Sequence, residues 1–187
     1  MTSRHLGLLL AVLCCLPTSA AFAQDEAERI AMVIAAGDPE AEALVKHRLT
    51  VENVRKMFAV DRELFTLMKE DPDLERRMSE LAQRIDPQRK LGTVTLNAQV
   101  HEGIPEIAQV LRSHQISARE YMFTYAVVIS TLAIDFMASQ EARQEGRKET
   151  PALMTQGLKF WRSMDPALKA EAEAWKKMRG YDKGINR

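Results

Sequence analysis

Residues 116–143 read ISAREYMFTYAVVISTLAIDFMASQEAR, and the rest of the chain has to be arranged around them. The stretch opens on Ser117-Ala118-Arg119-Glu120. This is the S-x-x-E pattern of a capping box, in which the serine hydroxyl accepts from the Glu120 N–H and the glutamate reaches back to the Ser117 N–H. The fourteen residues from Tyr121 to Ile134 then carry no charge, and apolar side chains fall on nearly every side of a helical wheel. A helix that is apolar all round is buried or spans a membrane. Fourteen residues rising ~1.5 Å each cover ~21 Å, short of the ~30 Å hydrocarbon core of a bilayer. The expectation is a core helix from Ser117 to about Arg143 with other helices packed around it.

Moving towards the N-terminus, Ile104-Pro105 leads into a helix to His114 that buries Ile107, Val110 and Leu111. Thr93-Val94-Thr95-Leu96 has strand-like residues but no partner strand. A short helix from about Leu96, capped by Thr95 and ended by Gly103, is expected there. Leu74, Met78, Leu81 and Ile85 form a narrow apolar stripe opposite Glu75, Arg76, Arg77, Glu80 and Arg84, the pattern of a surface helix lying on a core. A longer helix from Thr50 to about Glu70 has Thr50 as N-cap, with Leu49 placed to staple Val54. Its apolar face is Val51, Val54, Met57, Phe58, Leu64, Phe65 and Met68, and Asp61 lies in the middle of that face. Short helices are expected over Asp25–Ala36 and from Asp38-Pro39 to about His47.

On the C-terminal side, Thr150-Pro151 opens a helix carrying Leu153, Met154, Gly157, Leu158, Phe160, Trp161 and Met164. Asp165-Pro166 opens the last helix, which buries Leu168, Ala172 and Trp175. Asp-Pro or Thr-Pro recurs at the expected starts, at Asp38, Asp71, Asp86, Thr150 and Asp165; Asp86-Pro87 begins a short turn that Gly92 ends. The fold class that follows is all-α: one domain over residues 24–179, a bundle of about seven or eight helices, with a frayed tail at 180–187.

Met1 to Ala23 reads as a secretory leader. Arg4 gives the basic start, Leu6–Leu16 the apolar run, and Ala21-Phe22-Ala23 an A-x-A cleavage site before Gln24. Both cysteines, Cys14 and Cys15, fall inside the leader, without the small residue ahead of them that a lipoprotein signal needs. The chain from Gln24 onward would then lack disulfides, thiol catalysis, zinc–thiolate sites and C-x-x-C-H haem attachment. It would carry 25 basic against 26 acidic side chains, well interspersed. That balance argues against nucleic acid and anionic membrane surfaces as partners. The expected location is periplasmic or secreted, with no membrane span in the mature chain.

Asp61 is the first candidate for chemistry. A carboxylate on an apolar face is paired, hydrogen-bonded or neutral, because burying it bare costs several kcal/mol. Its expected role is structural, bonded to Tyr121, Tyr125, Thr124, Thr131 or an arginine; the rival is a ligand contact or general base. Asp135 is the second. With Glu120, Thr124, Thr131 and Ser139 it makes a thin polar stripe along the central helix. The stripe faces solvent or polar neighbours in one reading, and forms one wall of a ligand groove opposite Asp61 in the other. Asp61, Asp135, Thr131 and Tyr125 are therefore the binding candidates.

His47, His101 and His114 do not stand at metal-site spacing, and H-E-x-x-H, G-x-S-x-G, a P-loop and G-x-G-x-x-G are all missing. Met57, Met68, Met122 and Met137 sit on faces assigned to the core, so packing explains them better than haem ligation. No cofactor, catalytic residue or metal ligand is assigned.

Leu49-Thr50-Val51-Glu52-Asn53 and Ile116-Ser117-Ala118-Arg119-Glu120 are similar to the L-T-x-x-Q segments of the Spy/CpxP-like periplasmic chaperones, although neither ends in glutamine. That resemblance covers about ten residues and implies a small, exported, helical chaperone with an exposed concave face. Over Thr50 to Met164 the general plan, with its run Glu120-Tyr121-Met122-Phe123, resembles small exported bacterial helical proteins of uncharacterised function. This implies fold and export and no activity. The expected function is a non-enzymatic exported protein that binds a protein partner or a small apolar ligand. The alternatives are a Spy/CpxP-like chaperone, and a helical-bundle enzyme or haem protein using Asp61 and Asp135 or a His/Met pair.

Overall fold

In the computed structural model, residues 40–88, 90–141 and 152–181 are described, with backbone alone at 41, 42, 45, 133–141 and 152–156. These residues form α1 (Ala41–Lys46), α2 (Val51–Glu70), α3 (Leu74–Ile85), α4 (Thr93–Gly103), α5 (Pro105–Ser113), α6 (Ala118–Glu141), α7 (Ala152–Ser163) and α8 (Pro166–Arg179). No strand occurs among them. The protein is an all-α bundle.

The uncharged run from Tyr121 to Ile134 lies within α6, and that helix is central. Ser117 Oγ accepts from the Glu120 N–H at 3.1 Å and starts the helix. Every side chain from Tyr121 to Thr131 is buried. The burial is all-round because α2, α4 and α7 pack along α6, and α1 and α5 touch it as well. Among the described residues no helix is long and apolar enough to cross a membrane.

Thr50 caps α2 as the sequence predicts. Its Oγ1 accepts from the Asn53 N–H at 3.1 Å, and Asn53 Oδ1 accepts from the Thr50 N–H at 2.8 Å, so asparagine completes the box. The buried face of α2 is Val54, Met57, Phe58, Val60, Asp61 and Leu64, with Phe65 and Met68 half-buried. Val51, in the first turn, stays exposed.

The Asp-Pro starts have different fates. Asp165 caps α8, its Oδ1 accepting from the Leu168 N–H at 2.9 Å, and Pro166 is the first helical residue. Asp71 instead ends α2 and bonds the Asp73 N–H at 3.0 Å, so α3 starts two residues later than expected. Asp86 ends α3 and gathers the N–H groups of Lys90 and Leu91 at 2.9 and 2.7 Å, shaping the turn before Gly92. An Asp-Pro pair fixes a turn with an acceptor at its head, and the next residues decide whether a helix follows. Asp38-Pro39 and Thr150-Pro151 lie outside the described residues, as do the expected leader and the expected helix at 25–36.

The strand-like Thr93–Leu96 is the first turn of α4, which begins three residues earlier than expected. Thr95 is not its cap. The Glu40 carboxylate, more than fifty residues away in the chain, accepts from the N–H groups of Val94 and Thr95 at 2.8 Å each, and the Thr95 hydroxyl turns to the same carboxylate. The orphan N–H groups of a helix start accept any well-placed anion, so this cap came from tertiary structure. Gly103 ends α4, and Pro105 opens α5, as read from the sequence.

Candidate functional site

Asp61 has no exposed surface, and it is the hub of a polar cluster joining α2, α6 and α8. Four donors converge on its carboxylate. Tyr121 Oη donates to Oδ1 at 2.8 Å, and Trp175 Nε1 donates to Oδ2 at 2.7 Å. Arg179 engages it side-on, Nε to Oδ2 at 2.6 Å and Nη2 to Oδ1. Such two-point contact is the strong form of a charge-assisted pair. All four partners are donors, so the aspartate serves as acceptor throughout, as an ionised carboxylate does. The structural reading of Asp61 named a tyrosine and an arginine among its partners, and both are there.

Aromatic rings surround the pair. Trp175 lies 5.1 Å from Phe58 and meets Tyr125 and Tyr181 edge-on at 6.3 and 5.5 Å. Tyr121 sits between His101, at 5.7 Å, and Tyr125, at 6.1 Å. The Arg179 guanidinium lies 5.4 Å from the centre of the Phe65 ring. The Tyr125 and Tyr181 hydroxyls are 3.1 Å apart. Burial opposes the charge on Arg179, but Asp61, with smaller help from Tyr125 and Tyr181, raises its affinity for the proton well above the ordinary arginine value.

α8 could have announced Arg179. Its buried residues Leu168, Ala172, Trp175 and Arg179 follow at spacings of four, three and four, so the arginine extends the apolar stripe. Gly180, at φ 75°, then turns the chain in the left-handed region where glycine is favoured. The Tyr181 N–H bonds the Lys176 carbonyl at 2.9 Å, and the tyrosine ring folds back onto Trp175. Tyr181 thus belongs to the packed structure, and residues 182–187 of the expected tail lie outside the described ones.

His101 is buried beside this cluster. Its Nδ1 is 2.7 Å from the Asn97 carbonyl, which makes Nδ1 the protonated nitrogen. Burial lowers its pKa, against the Asn97 carbonyl and the Asp61 charge, so the imidazole is neutral. His47, half-buried, bonds Thr124 Oγ1 through Nε2 at 3.0 Å. Burial lowers its pKa too, against the pull of Glu120. His114 reaches Glu63 at 2.7 Å near the surface.

Of the four binding candidates, Asp61 and Tyr125 share the cluster. Thr131 is elsewhere: its hydroxyl donates to the Val127 carbonyl at 2.7 Å, and it packs against Gly157 of α7. The polar stripe does not face solvent at Thr124 and Thr131, since His47, just after α1, meets the first and α7 covers the second. The Asp135 side chain lies outside the described residues. Its backbone continues α6 fourteen residues beyond Tyr121, or ~21 Å along the axis, which separates it from Asp61. Among the described residues no three His, Cys, Asp or Glu side chains group closely enough to hold a metal ion. Met57 and Met122 are core residues, Met68 is half-buried, and the Met137 side chain lies outside the described ones.

No protein-family model, curated protein or solved structure matches this chain.

Proposed function

We propose that this chain is an exported helical protein, periplasmic or secreted, that binds a protein partner or a small apolar ligand without transforming it. The observation that carries the reading is the state of Asp61. The carboxylate best placed in the sequence for acid–base work accepts from four internal donors and has no exposed surface. A general base needs a free lone pair within reach of a substrate proton. Here the group instead ties three helices together.

The test is native mass spectrometry with an absorption spectrum on protein purified from an exporting host. The reading expects a chain beginning at Gln24, without a Soret band, carrying a co-purifying apolar molecule or capturing a specific protein from the same compartment. A haem spectrum, or an uncleaved chain retained in the cytoplasm, overturns it. Suppression of aggregation at stoichiometric amounts, without a specific partner, would replace it with the chaperone reading.

A further inference from the structure

α1 is a turn and a half long, and two side chains pin it at its ends. At one end, the Glu40 carboxylate sits on the first turn of α4, taking the Val94 and Thr95 N–H groups and the Thr95 hydroxyl. Gly92 makes room for it, because a Cβ there would overlap the Glu40 side chain. At the other end, His47 Nε2 meets Thr124 Oγ1 at 3.0 Å, and its ring lies 5.9 Å from Phe123. Between the pins, Leu44 is buried in the core. After His47 the chain runs non-helically to Thr50, where α2 begins. Ala43 packs on the core beside Leu44, and Asn53 Nδ2 donates to the Arg48 carbonyl at 3.0 Å. Among these holding groups the His47 imidazole is of the type that takes up a proton near neutral pH.

We propose that residues 40–48 form an acid-released strap, docked on α4 and α6 near neutral pH and freed as His47 takes up a proton. The His47–Thr124 hydrogen bond itself tolerates that proton, because a threonine hydroxyl accepts as readily as it donates. The cost comes from a charge in a half-buried seat, and burial already lowers the affinity of His47 for a proton. The freed segment has no such seat, so acid favours it.

The charges around the pins bear on the balance. On α6, Glu120 favours the protonated ring, and Arg119 already lies 4.7 Å from the Phe123 ring centre. Lys46 and Arg48 flank His47 in the chain and are exposed. α7, which also packs on α1, brings Lys159 and Arg162, both exposed, and Lys90 before α4 is exposed as well. Glu120 pulls the His47 affinity for a proton upward, and burial outweighs it.

Amide hydrogen exchange of the full chain between about pH 7.5 and 5, corrected for intrinsic rates, tests the strap. The reporters are the N–H groups of Leu44, Val94 and Thr95, which hydrogen-bond the Glu40 carbonyl or carboxylate. They are expected to open more often than core amides such as those of Met57 and Val128. Their opening should rise on acidification below the free-histidine value, by at most about tenfold per pH unit, and level off once the docked ring is protonated too, as uptake of one proton requires. His47→Gln, which keeps a hydrogen-bonding group at a half-exposed position, is expected to abolish that dependence at these amides. Glu40→Gln should raise their opening at neutral pH about tenfold, the weight of a charged hydrogen bond. Three results overturn the proposal: reporters exchanging at the same rate as the core, reporters indifferent to pH, or a pH dependence that survives His47→Gln.

Discussion

Replacing Asp61 by asparagine keeps the shape of the side chain and removes its charge. The Arg179 guanidinium then stays in a site where its side chain is only 6% exposed, with no counter-charge, and two new N–H donors face the donors of Arg179 and Trp175. Breaking a buried pair from one side costs about 3–5 kcal/mol. Against a total stability of about 5–15 kcal/mol that is a large share, and in a chain of 187 residues it lowers Tm by about 6–20 °C. Arg179→Met should cost a similar amount, because Tyr121 and Trp175 alone are left to hold a buried carboxylate. The double variant behaves differently. With both charges gone, the asparagine carbonyl can serve Trp175 while the Tyr121 hydroxyl accepts from the amide, and each polar group still left unsatisfied costs about 1–3 kcal/mol. The double variant is therefore expected to be more stable than Asp61→Asn alone. Urea unfolding followed by tryptophan fluorescence reads this directly, since Trp175 lies in the cluster. Equal m-values across the set would show that only stability has moved. An Asp61→Asn midpoint within about 1 kcal/mol of the parent, or single-variant losses that simply add, would refute the reasoning.

Three further predictions concern separate parts of the bundle. Gly157→Ala should destabilise by about 1–3 kcal/mol, because its Cβ would stand 3.2 Å from Thr131 Cβ and overlap Oγ1; Thr131→Ala should recover part of the loss, and a neutral Gly157→Ala would show that α6 and α7 are not so close. Gln115 closes α5 at φ 51°, with the Ile116 N–H on the Leu111 carbonyl at 3.2 Å, so Gln115→Gly should leave stability unchanged or raise it by up to ~1 kcal/mol in urea unfolding. Burial holds the His101 imidazole below its ordinary 6.5, against the Asn97 carbonyl and Asp61. The unfolded chain thus takes up a proton that the folded chain refuses. Its contribution is whole above pH 6.5 and is lost below it, by up to ~1.4 kcal/mol per pH unit, so urea midpoints should fall on acidification; a rise would contradict a neutral buried imidazole.

The candidate site was half legible. Asp61 stood out because a carboxylate interrupted an apolar face, and such an interruption demands a partner inside the protein. Arg179 carried the complementary signal, a cation continuing the stripe of Leu168, Ala172 and Trp175. Pairing them required knowing that α8 lies on α2, and nothing in the spacing of either helix says so. Glu40 gave no signal at all, since an acidic residue before a short helix has many uses.

What the sequence determined by itself was local and periodic. The all-round apolar run made α6 a core helix, because in water such a surface has to be covered. Thr50, Ser117, Pro105 and Asp165 set helix starts, because caps act within three residues of themselves. Tertiary structure alone decided the long-range partners. It put the Glu40 carboxylate on the start of α4 and moved that start to Thr93. It also brought Asp61 and Arg179 together across 118 positions of chain. Backbone N–H groups and buried charges must be satisfied, but the requirement is indifferent to where in the chain the partner comes from. Only packing, which fixes the helices against one another, selects it.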